Sequence, residues 1–145
     1  HNHPLGEVAP VRGGWEVFRE SLYHQAGFGP EAMDFVQLYD DFPIMAAIQL
    51  EDLGFCPKGE AGRFLEANRL THDGTLPVNT GGGQLSCGQA GGAAGWMSVV
   101  EAVRQLRGEG ERRQVPGARR GLVSGFGMIS YGHGLAAAAA VVEGT

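Results

Sequence analysis

A glycine-rich segment decides the fold of this chain: Val78-Asn79-Thr80-Gly81-Gly82-Gly83-Gln84-Leu85-Ser86-Cys87-Gly88-Gln89-Ala90-Gly91-Gly92-Ala93-Ala94-Gly95. Residues 76–79 predict an extended stretch before it, and residues 88–107 predict a long helix after it. Glycines permit positive φ angles and close backbone approach, and the free N–H groups at a helix start favour an oxyanion. The segment is therefore either a structural turn or an active-site loop, and it lacks the spacing of known phosphate-binding loops.

The composition indicates one globular domain with a sizeable core. The chain has 145 residues, of which 43% are hydrophobic and 19% are charged. A net charge of -5 argues against nucleic acid as the main partner. No apolar run is long enough to span a membrane, because the most apolar stretch covers only residues 135–142.

The cysteine count and the first residues bear on compartment and chain organisation. Two cysteines, Cys56 and Cys87, are too few for a disulfide framework, which favours a reduced, cytoplasmic setting. No signal peptide is visible. Because the sequence starts without Met, we expect residues 1–14 to be an N-terminal extension or the start of a fragment, followed by one domain over residues 15–145.

Periodicity predicts an α/β order of elements. Helices are expected over residues 15–25, 42–53, 60–68 and 88–107, and strands over residues 33–39, 76–79, 120–129 and 135–143. The segment at residues 130–134 is expected to form a tight turn between the last two strands. The resulting order, α-β-α-α-β-α-β-β, is typical of an α/β domain that ends in an antiparallel pair.

Two tyrosines lie next to predicted strands. Tyr39 ends the first predicted strand, where ligands bind in open α/β sheets, and Asp40 follows it. Tyr131 and His133 lie in the predicted turn at residues 130–134. The alternatives are a half-buried Tyr with an N-capping Asp at the first junction, and an ordinary hairpin turn at the second.

Three motifs taken in order resemble the C-terminal half of thiolases and of thiolase-like lipid-transfer proteins. They are Leu38-Tyr39-Asp40-Asp41-Phe42, then Leu50-Glu51-Asp52-Leu53-Gly54-Phe55-Cys56 with Lys58-Gly59-Glu60, then the glycine-rich segment with Gly132-His133-Gly134. The resemblance extends from Trp15 to the C-terminus. It implies an α/β, thiolase-like layered fold with a mixed five-stranded sheet, which pairs with a similar N-terminal half and forms a homodimer.

Departures from the thiolase pattern fall on the catalytic positions. Tyr39 stands where thiolases carry Asn or His, and Gln89 stands at the His of their G-H-P motif. The second catalytic Cys would align near Met128 or Ile129, and the nucleophilic Cys belongs to the N-terminal half. Cys87 aligns inside the glycine-rich segment and replaces neither of them. A Claisen condensation needs a thiolate nucleophile and an acid/base thiol, so we expect no thiolase activity.

The pattern is most similar to that of actinobacterial steroid side-chain aldolases. This resemblance implies retro-aldol cleavage of a β-hydroxyacyl-CoA, with Tyr39 and Tyr131 as proton carriers and His133 as the next candidate. A phenol is a useful proton carrier there only if the pocket lowers its pKa, and we expect backbone N–H donors and a dry site to do so. It also implies a partner containing an OB fold and a zinc ribbon, and an acyl-CoA substrate without a metal or redox cofactor. The residues expected at the substrate are Asp40, Gly83, Gly88, Gln89 and Gly132, with backbone N–H groups near Gly88 facing the enolate oxygen.

Two other interpretations stay open at this point. The chain could be a non-catalytic thiolase-like module that binds an acyl-CoA or a lipid or scaffolds a partner, since loss of the thiolase residues suits that role equally. It could also be a structural half that is inert until it joins an N-terminal half.

Overall fold

The computed structural model of the chain describes residues 11–130 and 133–144, with the backbone alone at 128–130 and 133–135. Its helices are α1 (Trp15–Ala26), α2 (Pro43–Asp52), α3 (Ala61–Ala67), α4 (Gly83–Cys87) and α5 (Ala94–Leu106). Its strands are β1 (Phe35–Gln37), β2 (Arg120–Ser130) and β3 (His133–Glu143). Short 3-10 turns occur at Pro30–Ala32, Gly91–Ala93 and Glu111–Arg113.

The described residues form a three-stranded mixed sheet in the order β1-β2-β3. β1 runs parallel to β2, and β2 runs antiparallel to β3 with pairing that reaches Ser130 and His133. The α/β fold class is confirmed, but the expected count of five strands is wrong for this part of the chain. The predicted strand at residues 76–79 contributes only a single parallel bridge between Val36 and Val78, because Pro77 has no N–H to extend a ladder.

Helices cover both faces of the sheet. α1 packs on β3 and α2, whereas α5 packs on β1 and β2. Side chains of β1 and of Leu38, which follows it, alternate between the two cores: Val36 and Leu38 join the larger one, and Phe35 joins the smaller one under α5. Trp15 is fully buried in the larger core, and its indole N–H donates to the Ala138 carbonyl of β3 at 3.2 Å.

The first predicted strand is shorter than expected because hydrogen bonding changes after Gln37. The N–H of Leu38 donates to the Asn79 side chain and that of Tyr39 to the Gln49 side chain, so neither extends the ladder. β3 begins at His133, two residues before the predicted start, so His133 and Gly134 belong to a strand and the predicted turn over residues 130–134 is too long.

The long helix predicted over residues 88–107 begins only at Ala94. Gly88 has a φ of 91° and Gly91 a φ of 54°, and these left-handed conformations interrupt an α-helix. Residues expected to form a loop instead make the short helix α4, which Gly88 ends by donating its N–H to the Gln84 carbonyl at 2.9 Å. The predicted helices over residues 15–25, 42–53 and 60–68 are confirmed as α1, α2 and α3.

Candidate functional site

Tyr39 follows β1, and a buried amide fixes its backbone. The N–H of Tyr39 donates to Gln49 Oε1 at 3.1 Å, and its carbonyl accepts from Gln49 Nε2 at 2.6 Å. Gln49 is fully buried in α2, and the Ser124 hydroxyl on β2 donates to the same Oε1. The Tyr39 ring lies 5.7 Å from the Phe126 ring. This clamp holds the phenol at the carboxyl end of β1.

Asn79 fastens the glycine-rich segment to the same strand end. Its side-chain Oδ1 accepts from the N–H of Leu38 at 2.6 Å, and its own N–H donates to the Val36 carbonyl at 2.9 Å. Asn79 adopts a positive φ of 48°, a conformation that Asn tolerates better than most residues. The turn that carries α4 therefore starts from a fixed point beside Tyr39.

The side chain of Asp40 fixes the start of α4 by a hydrogen bond. It is 6% exposed, and its carboxylate accepts the N–H of Gln84 at 2.7 Å. Gly83 permits this approach, since its φ is 63° and a Cβ built on it would lie 1.9 Å from Asp40 Oδ2. Both residues were predicted to bind substrate, and in this geometry they position the segment that carries Gln89.

Gln89 contacts the phenol directly. Its Nε2 donates to Tyr39 Oη at 3.3 Å, so the two residues at altered thiolase positions are paired with each other. The amide donates to the phenol oxygen, and the phenol O–H can donate to the side chain of Asp41, which contributes to the raised pKa of Tyr39. The N–H of Gly88 is used within α4. The free backbone donors closest to it are those of Gln89 and Ala90, which have no acceptor among the described residues.

The pKa of Tyr39 is raised from its ordinary value of 10.0. Partial burial is the largest cause, followed by the negative charge of Asp41, while the Gln89 amide acts in the opposite direction. The expected lowering of this pKa is therefore wrong for the described chain. Tyr39 is a neutral phenol at pH 7, which can donate a proton or a hydrogen bond.

A polar network that the motif search missed supports the glycine-rich segment from α5. The Thr80 hydroxyl donates to Glu101 Oε1 at 2.8 Å, and Arg113 makes two contacts of 3.0 Å with the same carboxylate. Gln105 Nε2 donates to both Thr80 and Glu101. Burial opposes ionisation of Glu101, but these hydrogen bonds outweigh it and hold its pKa below 4.5. The sequence signal was a Glu and a Gln one turn apart on the buried face of an amphipathic helix.

A cavity of about 520 Å³ lies between α4 and α5, and Glu101 and Arg113 of this network are among its lining residues. Its wall contains Trp96, Met97 and Val100 of α5, and its base contains Gln84 and Cys87 of α4. Gln84 is 5% exposed, and neither polar atom of its side chain has a hydrogen-bond partner. Cys87 is an exposed free thiol, whereas Cys56 is buried in the larger core, where burial raises its pKa to about 11.

The structure brings together part of the predicted site. Tyr39, Asp40, Gly83, Gly88 and Gln89 lie around the start and end of α4. Tyr131 and Gly132 lie outside the described residues, as does the side chain of His133. Residues 11–130 and 133–144 contain no group of three or more side chains that could hold a metal ion. In the same ranges no helix is long and apolar enough to cross a membrane.

Comparison with known families identifies the domain. Residues 14–142 match the family model described as "Thiolase C-terminal domain-like". The chain belongs to the thiolase C-terminal domain family. The resemblance deduced from the three motifs is thereby confirmed, and so is the thiolase-like fold.

Similar proteins include lipid-related proteins and a lyase. Rat (Rattus norvegicus) sterol carrier protein 2 is 35% identical over 118 residues, which are 79% of this chain and 22% of that protein. The 17-hydroxy-3-oxo-4-pregnene-20-carboxyl-CoA lyase of Mycobacterium tuberculosis is 45% identical over 87 residues, which are 60% of this chain and 22% of that protein.

A solved structure supports the same relationship. The "Ltp2-ChsH2(DUF35) aldolase" superposes with a TM-score of 0.67 and 36% sequence identity over 76% of this chain and 28% of that chain. The chain thus spans between 22% and 28% of the length of these three relatives.

Proposed function

We propose that this chain is the C-terminal part of a thiolase-family lyase that cleaves a C–C bond in a β-hydroxyacyl-CoA by a retro-aldol reaction. The observation that carries the proposal is the Tyr39–Gln89 contact. Tyr39 and Gln89, which stand at two altered thiolase positions, meet at the end of β1, where Tyr39 is a neutral phenol. The lyase relative supports a steroid acyl-CoA as substrate, since its name describes a hydroxyl group β to a thioester.

In the proposed reaction a base takes the proton of the β-hydroxyl group. The Cα–Cβ bond breaks, the β-carbon leaves as a ketone, and the electron pair forms a thioester enolate. Protonation of the α-carbon then gives the shorter acyl-CoA. Every atom is accounted for without an oxidant or a metal ion, and an acyl-CoA thioester is the only small molecule required.

Tyr39 suits the protonation step better than the deprotonation step. Because its pKa is raised, the phenol holds its proton at pH 7 and can deliver it to the enolate carbon. The base is then assigned to Tyr131, with His133 as the next candidate. The free N–H groups of Gln89 and Ala90 are suited to hold the enolate oxygen, where donors stabilise developing charge.

The whole enzyme is proposed to need more than this chain. The missing partner is an N-terminal thiolase-like half, with a homodimer and an OB-fold and zinc-ribbon protein as further partners. The chain matches only 22–28% of each relative described above, which supports the N-terminal half as a partner. We do not expect thiolysis of a β-ketoacyl-CoA, because Gln89 stands in place of a His and the sequence has no Cys near the final strands.

The test uses the assembled protein and a β-hydroxyacyl-CoA whose β-carbon is a tertiary alcohol on a ring. We expect a ring ketone and a shorter acyl-CoA, detected by mass spectrometry. In D₂O the acyl-CoA should carry one deuterium at the α-carbon, because the enolate takes its proton from an exchangeable group. Acetoacetyl-CoA with free CoA is the control and should not be cleaved. Binding of the β-hydroxyacyl-CoA without any cleavage would instead support a non-catalytic acyl-CoA or lipid-binding module.

A further inference from the structure

Asp41 is a half-buried carboxylate that has no evident structural task. It lies two residues after Tyr39 and directly before Phe42, the cap residue of α2. An Asp at this point of a sequence predicts a side chain that caps the helix, yet α2 begins without a side-chain cap. Nor does Asp41 form an ion pair within residues 11–130 and 133–144. Neither helix capping nor charge pairing therefore accounts for it.

The side chain of Asp41 contacts the Tyr39 hydroxyl group instead. The phenol O–H can donate to this carboxylate, and the phenol oxygen accepts from Gln89 Nε2 at 3.3 Å, so the hydroxyl group has a partner on each side. Asp40, by contrast, is 6% exposed, and its carboxylate accepts the N–H of Gln84. The two adjacent Asp residues thus differ in their tasks, since Asp40 holds α4 and Asp41 faces the phenol.

The backbone is fixed on both sides of Asp41. Gln49 Nε2 donates to the Tyr39 carbonyl at 2.6 Å and to the Met45 carbonyl at 2.7 Å. The N–H of Met45 in turn donates to the Phe42 carbonyl at 2.9 Å. One buried amide therefore holds the segment from Tyr39 to Met45, and this keeps the Asp41 backbone in place beside the phenol.

The placement of Asp41 also brings a negative charge to the phenol. Burial raises the pKa of Tyr39 most, and the charge of Asp41 raises it more than that of Asp40. The other elements packed against Tyr39 bring neutral side chains to it, namely Phe126 from β2, Gln49 from α2 and Gln89 from the glycine-rich segment. A phenolate beside Asp41 is therefore unfavourable, and a phenol that has lost its proton readily regains one from solvent.

We propose that Asp41 is the positioning residue of the proton donor Tyr39. Its carboxylate directs the phenol O–H before the proton is delivered, and its negative charge favours the return of a proton to the phenolate after each turnover. In the step itself the Tyr39 O–H bond breaks and a C–H bond forms at the α-carbon of the enolate. The phenolate then takes a proton from solvent, while the proton that the base removed from the β-hydroxyl group returns to solvent. The inference rests on the proposed function for the reaction in which Tyr39 takes part.

A titration of the phenol tests the charge of Asp41 without any substrate. Tyrosine that is isotope-labelled at Cζ gives an NMR signal that moves when the phenol ionises, and the Tyr39 signal of the assembled protein is the one missing from Tyr39→Phe. Asp41→Asn removes the charge at nearly constant shape, so Tyr39 should ionise at a lower pH than in the wild type. Glu66→Gln is the matched control: it removes an exposed carboxylate on α3 and should leave the Tyr39 titration unchanged.

Turnover of the assembled protein tests the position of the phenol. Asp41→Ala removes the acceptor, so kcat for retro-aldol cleavage should fall roughly 10- to 100-fold because the phenol O–H is no longer directed. KM should be unchanged, since Asp41 acts through Tyr39 rather than on the substrate. Asp41→Asn keeps an acceptor oxygen and should recover most of the loss at pH 7. Its rate should nevertheless decline at a lower pH than the wild-type rate, because the phenol is no longer held protonated by the charge.

Three outcomes would overturn the inference. The first is a Tyr39 titration that Asp41→Asn leaves unchanged or that Glu66→Gln shifts equally. The second is an Asp41→Ala variant with wild-type kcat. The third is equal impairment of both Asp41 variants with a raised KM, which would indicate a direct contact with the substrate. An assembly without lyase turnover refutes the proposed function instead, and the titration then still decides whether Asp41 controls the phenol.

Discussion

Tyr39→Phe separates the chemistry of the phenol from its packing. The substitution deletes one oxygen and keeps the ring, which lies 5.7 Å from Phe126 and half-buried at the end of β1. The backbone clamp by Gln49 does not involve the hydroxyl group. The substitution removes the solvent-exposed 3.3 Å contact from Gln89 and the contact of the hydroxyl group with the Asp41 side chain. We therefore expect the free energy of unfolding to fall by about 0.5 kcal/mol or less.

The expected effect on turnover is much larger. Loss of a general acid costs about 10²- to 10⁴-fold in rate, or roughly 3–5 kcal/mol of transition-state stabilisation. The assay is retro-aldol cleavage of a β-hydroxyacyl-CoA by the assembled protein. Because the phenol must be protonated to act and its pKa is raised above 10.0, the wild-type rate should fall only at pH values above about 10. Tyr39→Phe should remove this alkaline decline along with most of the activity.

Tyr23→Phe is the control, and the structure predicts the reverse pattern for it. The Tyr23 hydroxyl donates to the Leu53 carbonyl at 2.8 Å, and burial raises its pKa. Its loss leaves a partly buried carbonyl unpaired, so the free energy of unfolding should fall by about 1–2 kcal/mol while turnover of the folded protein is unchanged. A Tyr39→Phe variant with near-wild-type turnover would refute the assignment of Tyr39 as the proton donor, and near-wild-type turnover of Tyr131→Phe as well would leave His133 as the next candidate.

Three further predictions concern the surroundings of Tyr39. Gly83→Ala should lower the free energy of unfolding by about 3 kcal/mol or more, since its Cβ would collide with Asp40. Gly91→Ala is the control: Gly91 also has a positive φ, but its Cβ meets no neighbour, so the free energy of unfolding measured by thermal unfolding should fall by only about 1 kcal/mol. Glu101→Gln should cost about 1–3 kcal/mol at neutral pH. Because the folded-state pKa of Glu101 lies below 4.5, that difference should shrink as pH falls through it, and an equal difference at about pH 3 in denaturant titrations would contradict this. Gln89→His should not restore thiolysis of acetoacetyl-CoA, because the acid/base Cys expected near Met128 or Ile129 is still absent, and turnover well above background would show that this Cys is not needed.

The glycine-rich segment predicts the family of the chain but not the point at which its helix begins. Its glycine spacing and the preceding Val78-Asn79 identified the family correctly. The helix start was predicted six residues too early. The run of small residues before Ala94 contains two glycines whose backbone conformation interrupts a helix. Gly88 and Gly91 have positive φ angles that only the folded chain reveals. Any glycine permits a positive φ angle, but the sequence alone does not show which glycines adopt one.

Buried polar residues were the least predictable part of the site. Gln49 lies in an apolar helix and could have been noticed as its only buried amide, yet its partners are the backbone of Tyr39, ten residues earlier, and Ser124, on another strand. Pairings of this kind depend on tertiary contacts and leave no periodic signal. The pKa of Tyr39 shows the same dependence, since the direction of its shift follows from burial and from Asp41 rather than from the residue type.

These buried groups explain why the phenol and its neighbours form a rigid unit although they come from distant parts of the sequence. Gln49 fixes Tyr39, Asn79 fixes the strand end, and Asp40 fixes α4, each through a hydrogen bond between a side chain and the backbone. A phenol held by three such hydrogen bonds is suited to act as a proton donor at a fixed position, and the Tyr39→Phe and Gly83→Ala variants separate the donor from the residues that position it.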